Sequence, residues 1–267
     1  MKFNNDEFSN DNGQATIKKP VNPESQKVLK SGAFLIKTFL FLALGLFISA
    51  AVAVGGSILL SKFVYNSNTE SDAGLITTLC IVIASFIGCI ICSVFIGKLG
   101  LEKGNKAVIP YVIYSFLMGI LLSGLVYWAK NPYILGFAFL ITSLLFVALG
   151  IVGYFAKGKA WPIVLTAAAF IVLAGFAIYF FTFLFLPFYA QSETYTKSFL
   201  WIMFGVQIGF LVVMCIYTAF DFYRIRKAME TEELTTNISV YFACQLYSDF
   251  VLLFIYLLRF IAAIKNN

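Results

Sequence analysis

The 267-residue chain contains no histidine. That absence excludes a Ser-His-Asp triad, an H-E-x-x-H metalloprotease and a His-ligated haem. Any chemistry must run on carboxylates, hydroxyls, thiols or cations. Charge is scarce too: 12% of residues are charged and 61% hydrophobic, whereas an average soluble domain is about 25% charged. Proline is rare. Pro20 and Pro23 lie in a polar N-terminal stretch, and Pro110, Pro132, Pro162 and Pro187 fall at the ends of apolar runs or between them. No run is broken at its centre, which argues against a transporter built on discontinuous helices. The glycines are dispersed and form no phosphate-cradling loop. The five cysteines, Cys80, Cys89, Cys92, Cys215 and Cys244, all lie in apolar runs. An odd number there is not a disulfide framework. Cys89-x-x-Cys92 has the spacing of a motif, but a zinc site needs further ligands. Packing residues are the expected role.

What the chain does have is long apolar runs. A bilayer crossing takes roughly 20 apolar residues. Seven stretches qualify: Ala33–Leu60, Leu75–Ile96, Val108–Trp128, Tyr133–Phe155, Pro162–Phe188, Phe199–Tyr223 and Val240–Ile264. In lipid each backbone polar group must be satisfied within its own helix. The fold class is therefore an all-α membrane protein with seven transmembrane helices. Short joining loops predict that sequential helices are antiparallel neighbours. Small residues recur at spacing four in the second span (Ala84, Gly88, Cys92) and the third (Ser115, Gly119, Ser123). Such stripes let helices approach closely.

Residues 1–32 are rich in Asn, Ser, Asp and Lys and read as a disordered tail. No apolar core follows Met1 within the tail, so the first span is expected to stay in the protein as an anchor. Residues 33–264 form the membrane domain. With the tail inside, 13 basic residues fall in inner segments and four in outer ones, Lys62, Lys130, Lys197 and Lys265. This asymmetry predicts a cytoplasmic N-terminus. The formal net charge of +6 is thus mainly a topology signal. The basic residues are scattered between spans and gather on no single face, so no nucleic-acid partner is expected. Trp128, Trp161 and Trp201 sit at span ends, where interfacial aromatics belong.

Four charges lie within the spans: Lys37, Asp221, Asp249 and Arg259. The two cations are near span ends and can snorkel to water. Aspartate is too short for that, and near a bilayer centre it costs at least ~2.5 kcal/mol. Asp249 stands in "QLYSDFVLLFIYLLRF" and Asp221 in "IYTAFDFYRIRK". The point midway between them is Thr235, within the polar stretch "EELTTN". If the last two helices form a hairpin turning there, the aspartates lie at equal height on facing helices. Two carboxylates in contact cannot both ionise cheaply, and they can share a proton. Such a pair is a pH switch without histidine. Protonated, it ties the helices by a hydrogen bond; deprotonated, it repels them, draws in water or contacts a cation. Calcium wants six to eight oxygen ligands, so two Asp make only a weak, transient metal contact. For Asp221 a plainer role competes: an ion pair with Arg224, three residues on along the same helix.

Two stretches, "IYTAFDFYRIRKAM" and "ACQLYSDFVLLFIYLLRF", resemble the last two helices of the Bax inhibitor (transmembrane Bax inhibitor motif) family. "AVIPYVIYSFLMGILLSG" in the third span and "FLFLALGLFISAAVAV" in the first are similar to it as well. The resemblance covers residues 33–264. It implies a seven-helix fold with the last helix central, and a pH-sensitive calcium leak channel with calcium as the transported ion and no cofactor. It implies that Asp221 and Asp249 are the pH sensor and ion contact. A basic residue at the inner end of the second helix would latch the closed state, a place that Lys98 or Lys103 would fill. Three residues depart from the family's pattern: Phe220 for the usual Tyr, Phe222 for a small polar residue, and Ser248 for an apolar one.

Three functions are thus in play. The first is the channel, partnered by the lipid bilayer and calcium ions. The Asn- and Lys-rich composition points to a bacterial plasma membrane, with a eukaryotic endomembrane as the alternative. The second is an intramembrane aspartyl protease. It is disfavoured because Asp249 is preceded by Leu246, Tyr247 and Ser248 instead of G-x-G, and no proline follows it. An enzyme is not expected. The third is a regulatory membrane protein that binds a membrane protease or a stress or cell-death complex without transport.

Overall fold

The structure, a computed structural model, describes residues 23–66, 72–100, 102, 104–129, 132–156, 161, 164–168, 170–175, 193–231 and 234–266. They form helices α1 (Pro23–Asn66), α2 (Asp72–Gly100), α3 (Val108–Ala129), α4 (Pro132–Phe155), a shorter α5 (Val164–Gly175), α6 (Glu193–Thr231) and α7 (Thr236–Asn266). No strand occurs among the described residues. The protein is an all-helical, multi-pass membrane protein. Six helices are long and apolar enough to cross a bilayer: Lys30–Leu60, Cys80–Gly100, Val108–Tyr127, Tyr133–Phe155, Phe204–Glu230 and Thr236–Ile261. The fifth expected span, Pro162–Phe188, lies largely outside the described residues, and its described part is the short α5.

Boundaries differ from the expected ones for local reasons. Helix α1 starts at Pro23, ten residues before Ala33, so residues 23–32 of the expected tail are helical. A proline suits a first helical turn, because its missing N–H would have no partner there. Residues 1–22 lie outside the described residues. Helix α6 runs on through "RIRKAME" to Thr231, and α7 begins at Thr236, where the Thr235 hydroxyl caps it by accepting from the Ile238 N–H at 3.3 Å. The last two helices thus end and begin on either side of the polar break, at Thr231 and Thr236.

Helix α7 is the centre of the bundle. It packs against α1, α2, α3, α4 and α6. In its candidate span 61% of residues are buried, against 17–33% in the other five. The outer helices turn apolar side chains outward, among them Leu40, Phe47, Phe86, Ile90 and Leu144. This is the pattern of a protein whose solvent is lipid.

Neighbour order is where loop length misleads. The main partner of α1 is α3. The small-residue stripe explains it. A Cβ at Gly119 would sit 2.7 Å from Val52 Cβ and 2.9 Å from the Ser49 carbonyl oxygen, and one at Gly56 would sit 2.7 Å from Ser123 Cβ. The two backbones are too close for anything larger. On the second stripe, Gly88 meets Leu117 of α3. Between α2 and α3 the loop turns through Gly104, whose φ of +136° favours glycine. Asn237, fully buried at the start of α7, holds that loop. Its side chain donates to the Glu102 carbonyl at 2.9 Å and accepts from the Ala107 N–H at 3.1 Å, while its own N–H donates to the Gly104 carbonyl at 3.1 Å.

The five cysteines are free thiols: Cys89 and Cys244 are buried, Cys92 and Cys215 half-buried, and Cys80 exposed. Lys37 and Arg259 are exposed, as residues that snorkel should be.

Candidate functional site

Helical spacing builds the site. On α7, Tyr241, Gln245 and Asp249 recur every four residues and share one face. On α6, Thr218, Asp221 and Arg224 recur every three and do the same. The α6–α7 contact sets these two rows against each other. Asp221 lies ten residues before the end of α6, and Asp249 thirteen after the start of α7. At about 1.5 Å rise per residue, both are some way into the apolar part of the bundle. Asp249 falls at the middle of the span Thr236–Ile261.

The structure brings Asp221 and Asp249 together as neighbours across the seam, with Thr218 beside Asp249. Asp249 is 8% exposed, and its Oδ2 is buried with no hydrogen-bond partner among the described residues. The Thr218 hydroxyl spends its proton on the Met214 carbonyl at 2.8 Å, so toward a neighbour it has only lone pairs to offer. Asp221 is better served: Arg224 Nη1 donates to its Oδ1 at 3.3 Å. The helix-end ion pair read from the sequence is therefore present, but it is part of something larger. Arg224 also donates to Gln245 Oε1 at 3.4 Å and to Tyr241 Oη at 3.2 Å, and Gln245 Nε2 donates to the same phenol oxygen at 3.1 Å. Phe220 of α6 and Phe242 of α7 each present a ring 5.9 Å from the guanidinium carbon.

Of the two lysines named from the sequence, the one that is described, Lys98, does not join this group. Lys98 stands exposed in the last turn of α2 and makes no ion pair among the described residues. Lys103 lies outside the described residues. Tyr241 and Gln245 were missed. The available signal was their i, i+4, i+8 register with Asp249, visible once that face is taken as buried. No group of three Cys, Asp or Glu that could hold a metal ion occurs among the described residues.

The three departures from the family pattern each have a local partner. Phe220 lies under the Arg224 guanidinium and packs on Trp161 at 5.4 Å. Phe222 fills the space over Gly150 and Gly153 of α4 and meets Phe146 edge-on at 5.2 Å. Ser248 shares a 2.8 Å hydrogen bond with Tyr114 of α3.

A polytopic helical bundle with an acidic pair in its interior, Asp249 on the central helix and Asp221 on the neighbouring α6, is a membrane protein with an ionisable core. Comparison gives the family. The family described as "Inhibitor of apoptosis-promoting Bax1" matches residues 32–267, and the chain belongs to it. A relative from Borreliella burgdorferi (strain ATCC 35210 / DSM 4680 / CIP 102532 / B31), an uncharacterized protein, is 26% identical over 253 residues, covering 91% of this chain and 97% of its own length.

Proposed function

We propose that the protein is a pH-sensitive calcium leak channel of a bacterial plasma membrane, oriented with its N-terminus in the cytoplasm. One observation carries the reading: two aspartates from the last two helices meet in the apolar middle of the bundle, and one carboxylate oxygen there, Oδ2 of Asp249, is buried without a donor among the described residues. A buried orphan oxygen costs about 1–3 kcal/mol, more if it is charged. A fold tolerates that where the group has work to do, since intramembrane acids belong to ion and proton pathways.

The mechanism follows from charge balance. Two carboxylates and one guanidinium are neutral when the pair holds one proton. In that state Arg224 balances Asp221, and the shared proton joins the two helices. Adding or removing a proton upsets the balance. The seam then loosens, water enters, and calcium is offered carboxylate and hydroxyl oxygens, hard ligands of the sort it prefers. The site holds too few oxygens to retain the ion, which suits passage.

Calcium entry into proteoliposomes, followed from mildly acidic to mildly alkaline pH, tests the reading. Wild type should pass calcium with a clear pH dependence, and Asp249→Asn should pass it with none or not at all. Absence of flux at every pH would overturn the channel and leave the regulatory role as the working account.

A further inference from the structure

We propose that a buried water molecule bridges the Tyr247 hydroxyl of α7 to the Ser49 hydroxyl of α1, so that the central helix is pinned on its neutral side by a hydration site in the apolar middle of the bundle. The site is separate from the acidic pair and does not depend on the passage of calcium.

Tyr247 is fully buried, and its Oη has no hydrogen-bond partner among the described residues. A buried phenol ordinarily finds one. The ring cannot swing away to reach it, because Tyr111 and Tyr114 of α3 pack edge-on against it at 6.3 and 5.7 Å. The side chain that interacts with the phenol from α1 is Ser49, itself 2% exposed, yet the two hydroxyls fall short of hydrogen-bond geometry. Ser49 is fixed as well. A Cβ at Gly119 of α3 would sit 2.9 Å from the Ser49 carbonyl oxygen, so the helix crossing sets where the serine stands. A polar pair held just out of reach from both ends is where a bridging water belongs. Both residues lie well inside their spans, Lys30–Leu60 and Thr236–Ile261, so neither is served by water at a membrane surface.

The chemistry of the neighbours selects the occupant. Ser49 spends its proton on the Leu46 carbonyl at 3.0 Å, Ser115 on the Tyr111 carbonyl at 3.0 Å, and Tyr111 on the Phe41 carbonyl at 2.7 Å. These oxygens have only lone pairs left to offer. Tyr247 is the reverse case, with a proton to give. A cation would suit the serine and oppose the phenol's proton; an anion would do the opposite. Water both donates and accepts, so it serves both ends. A buried water needs roughly two to four polar partners, and the phenol and the serine meet that need.

Thermal unfolding in detergent and hydroxyl-radical footprinting of the wild type in nanodiscs test the site. Tyr247→Phe removes only the hydroxyl. Were that group dry, its loss would leave the melting temperature unchanged or raise it, because an unsatisfied donor goes with it. With the bridge in place, the melting temperature should fall by about 2–4 °C. In the Tyr247→Phe background, Ser49→Ala should then cost less than it does in wild type. Ser123→Ala, whose hydroxyl serves the Ile120 carbonyl at 2.6 Å further along α3, should cost the same in either background. In the footprint, Tyr247 should take up oxygen label despite its burial, while Phe34, also buried but further along α1, should not. A Tyr247→Phe melting temperature at or above wild type, additive costs for Tyr247→Phe and Ser49→Ala, or an unlabelled Tyr247 would each overturn the proposal. Should Tyr247→Phe fail to fold, the wild-type footprint decides alone.

Discussion

On the side of α7 that meets α1 and α3, Cys244, Tyr247 and Ser248 carry neutral polar groups into the core. On the side that meets α6, Tyr241, Gln245 and Asp249 face a cation and a second carboxylate. The first side is knit by short bonds made within the protein. Tyr114 and Ser248 share a hydrogen bond of 2.8 Å, Ser248 donates to the Cys244 carbonyl at 2.9 Å, and Tyr111 donates to the Phe41 carbonyl at 2.7 Å. The Tyr111 and Tyr114 rings pack edge-on against Tyr247 at 6.3 and 5.7 Å. The Tyr247 hydroxyl there, without a hydrogen-bond partner among the described residues, is neutral. The second side is held by contacts of 3.1–3.4 Å around charges, with a carboxylate oxygen unpartnered. The difference teaches that burial alone does not mark a working site. Neutral groups with short local bonds fix a helix in place. Charged groups make the packing depend on which of them holds a proton.

Substitutions can break this contrast, and the largest effect belongs to the charged side. Asp221→Asn should flatten the pH profile of calcium entry as fully as Asp249→Asn, because an amide cannot titrate and the pair needs both members. On the neutral side the expected effects are on stability. Gly119→Leu should cost at least about 1–3 kcal/mol, the usual price of overpacking, because even a Cβ there collides with Val52 and the Ser49 backbone. Thermal unfolding in detergent reads this out, and folded protein should keep its pH dependence. Asn237→Ala strips the side-chain partner from the Ala107 N–H and the Glu102 carbonyl. A loss of about 1–3 kcal/mol is expected, seen as faster amide exchange at the α2–α3 loop. Smallest is Tyr114→Phe, which removes one shared bond while Ser248 keeps its backbone acceptor. About 0.5–1.5 kcal/mol should be lost with the flux profile unmoved. A flattened profile in Tyr114→Phe would erase the distinction between the two sides.

Much of this was legible in the sequence because membranes penalise so few things so heavily. Asp249 stood out as a short acid in an apolar run, and Asp221 could be set beside it by counting from the polar break that separates α6 from α7. The rest depends on rotation and neighbour choice, which apolar composition leaves open. Arg224 was visible as a partner for Asp221, yet nothing in the chain said that Tyr241 and Gln245 point at the same guanidinium. Lys98 was an expectation carried by resemblance to a helix position, and the side chain at that position is exposed. Loop length predicted sequential neighbours, whereas the small residues of α1 chose α3. The clue was there in Gly45, Ser49 and Gly56, facing Tyr111, Ser115, Gly119 and Ser123.

The most direct test of the central claim is calcium entry across pH in the double variant Asp221→Asn/Asp249→Asn, beside wild type in matched proteoliposomes. The account predicts a pH-dependent leak in wild type and a pH-independent one, or none, in the double variant. A double variant that still conducts with the wild-type pH dependence would contradict it and move the sensor away from the α6–α7 seam.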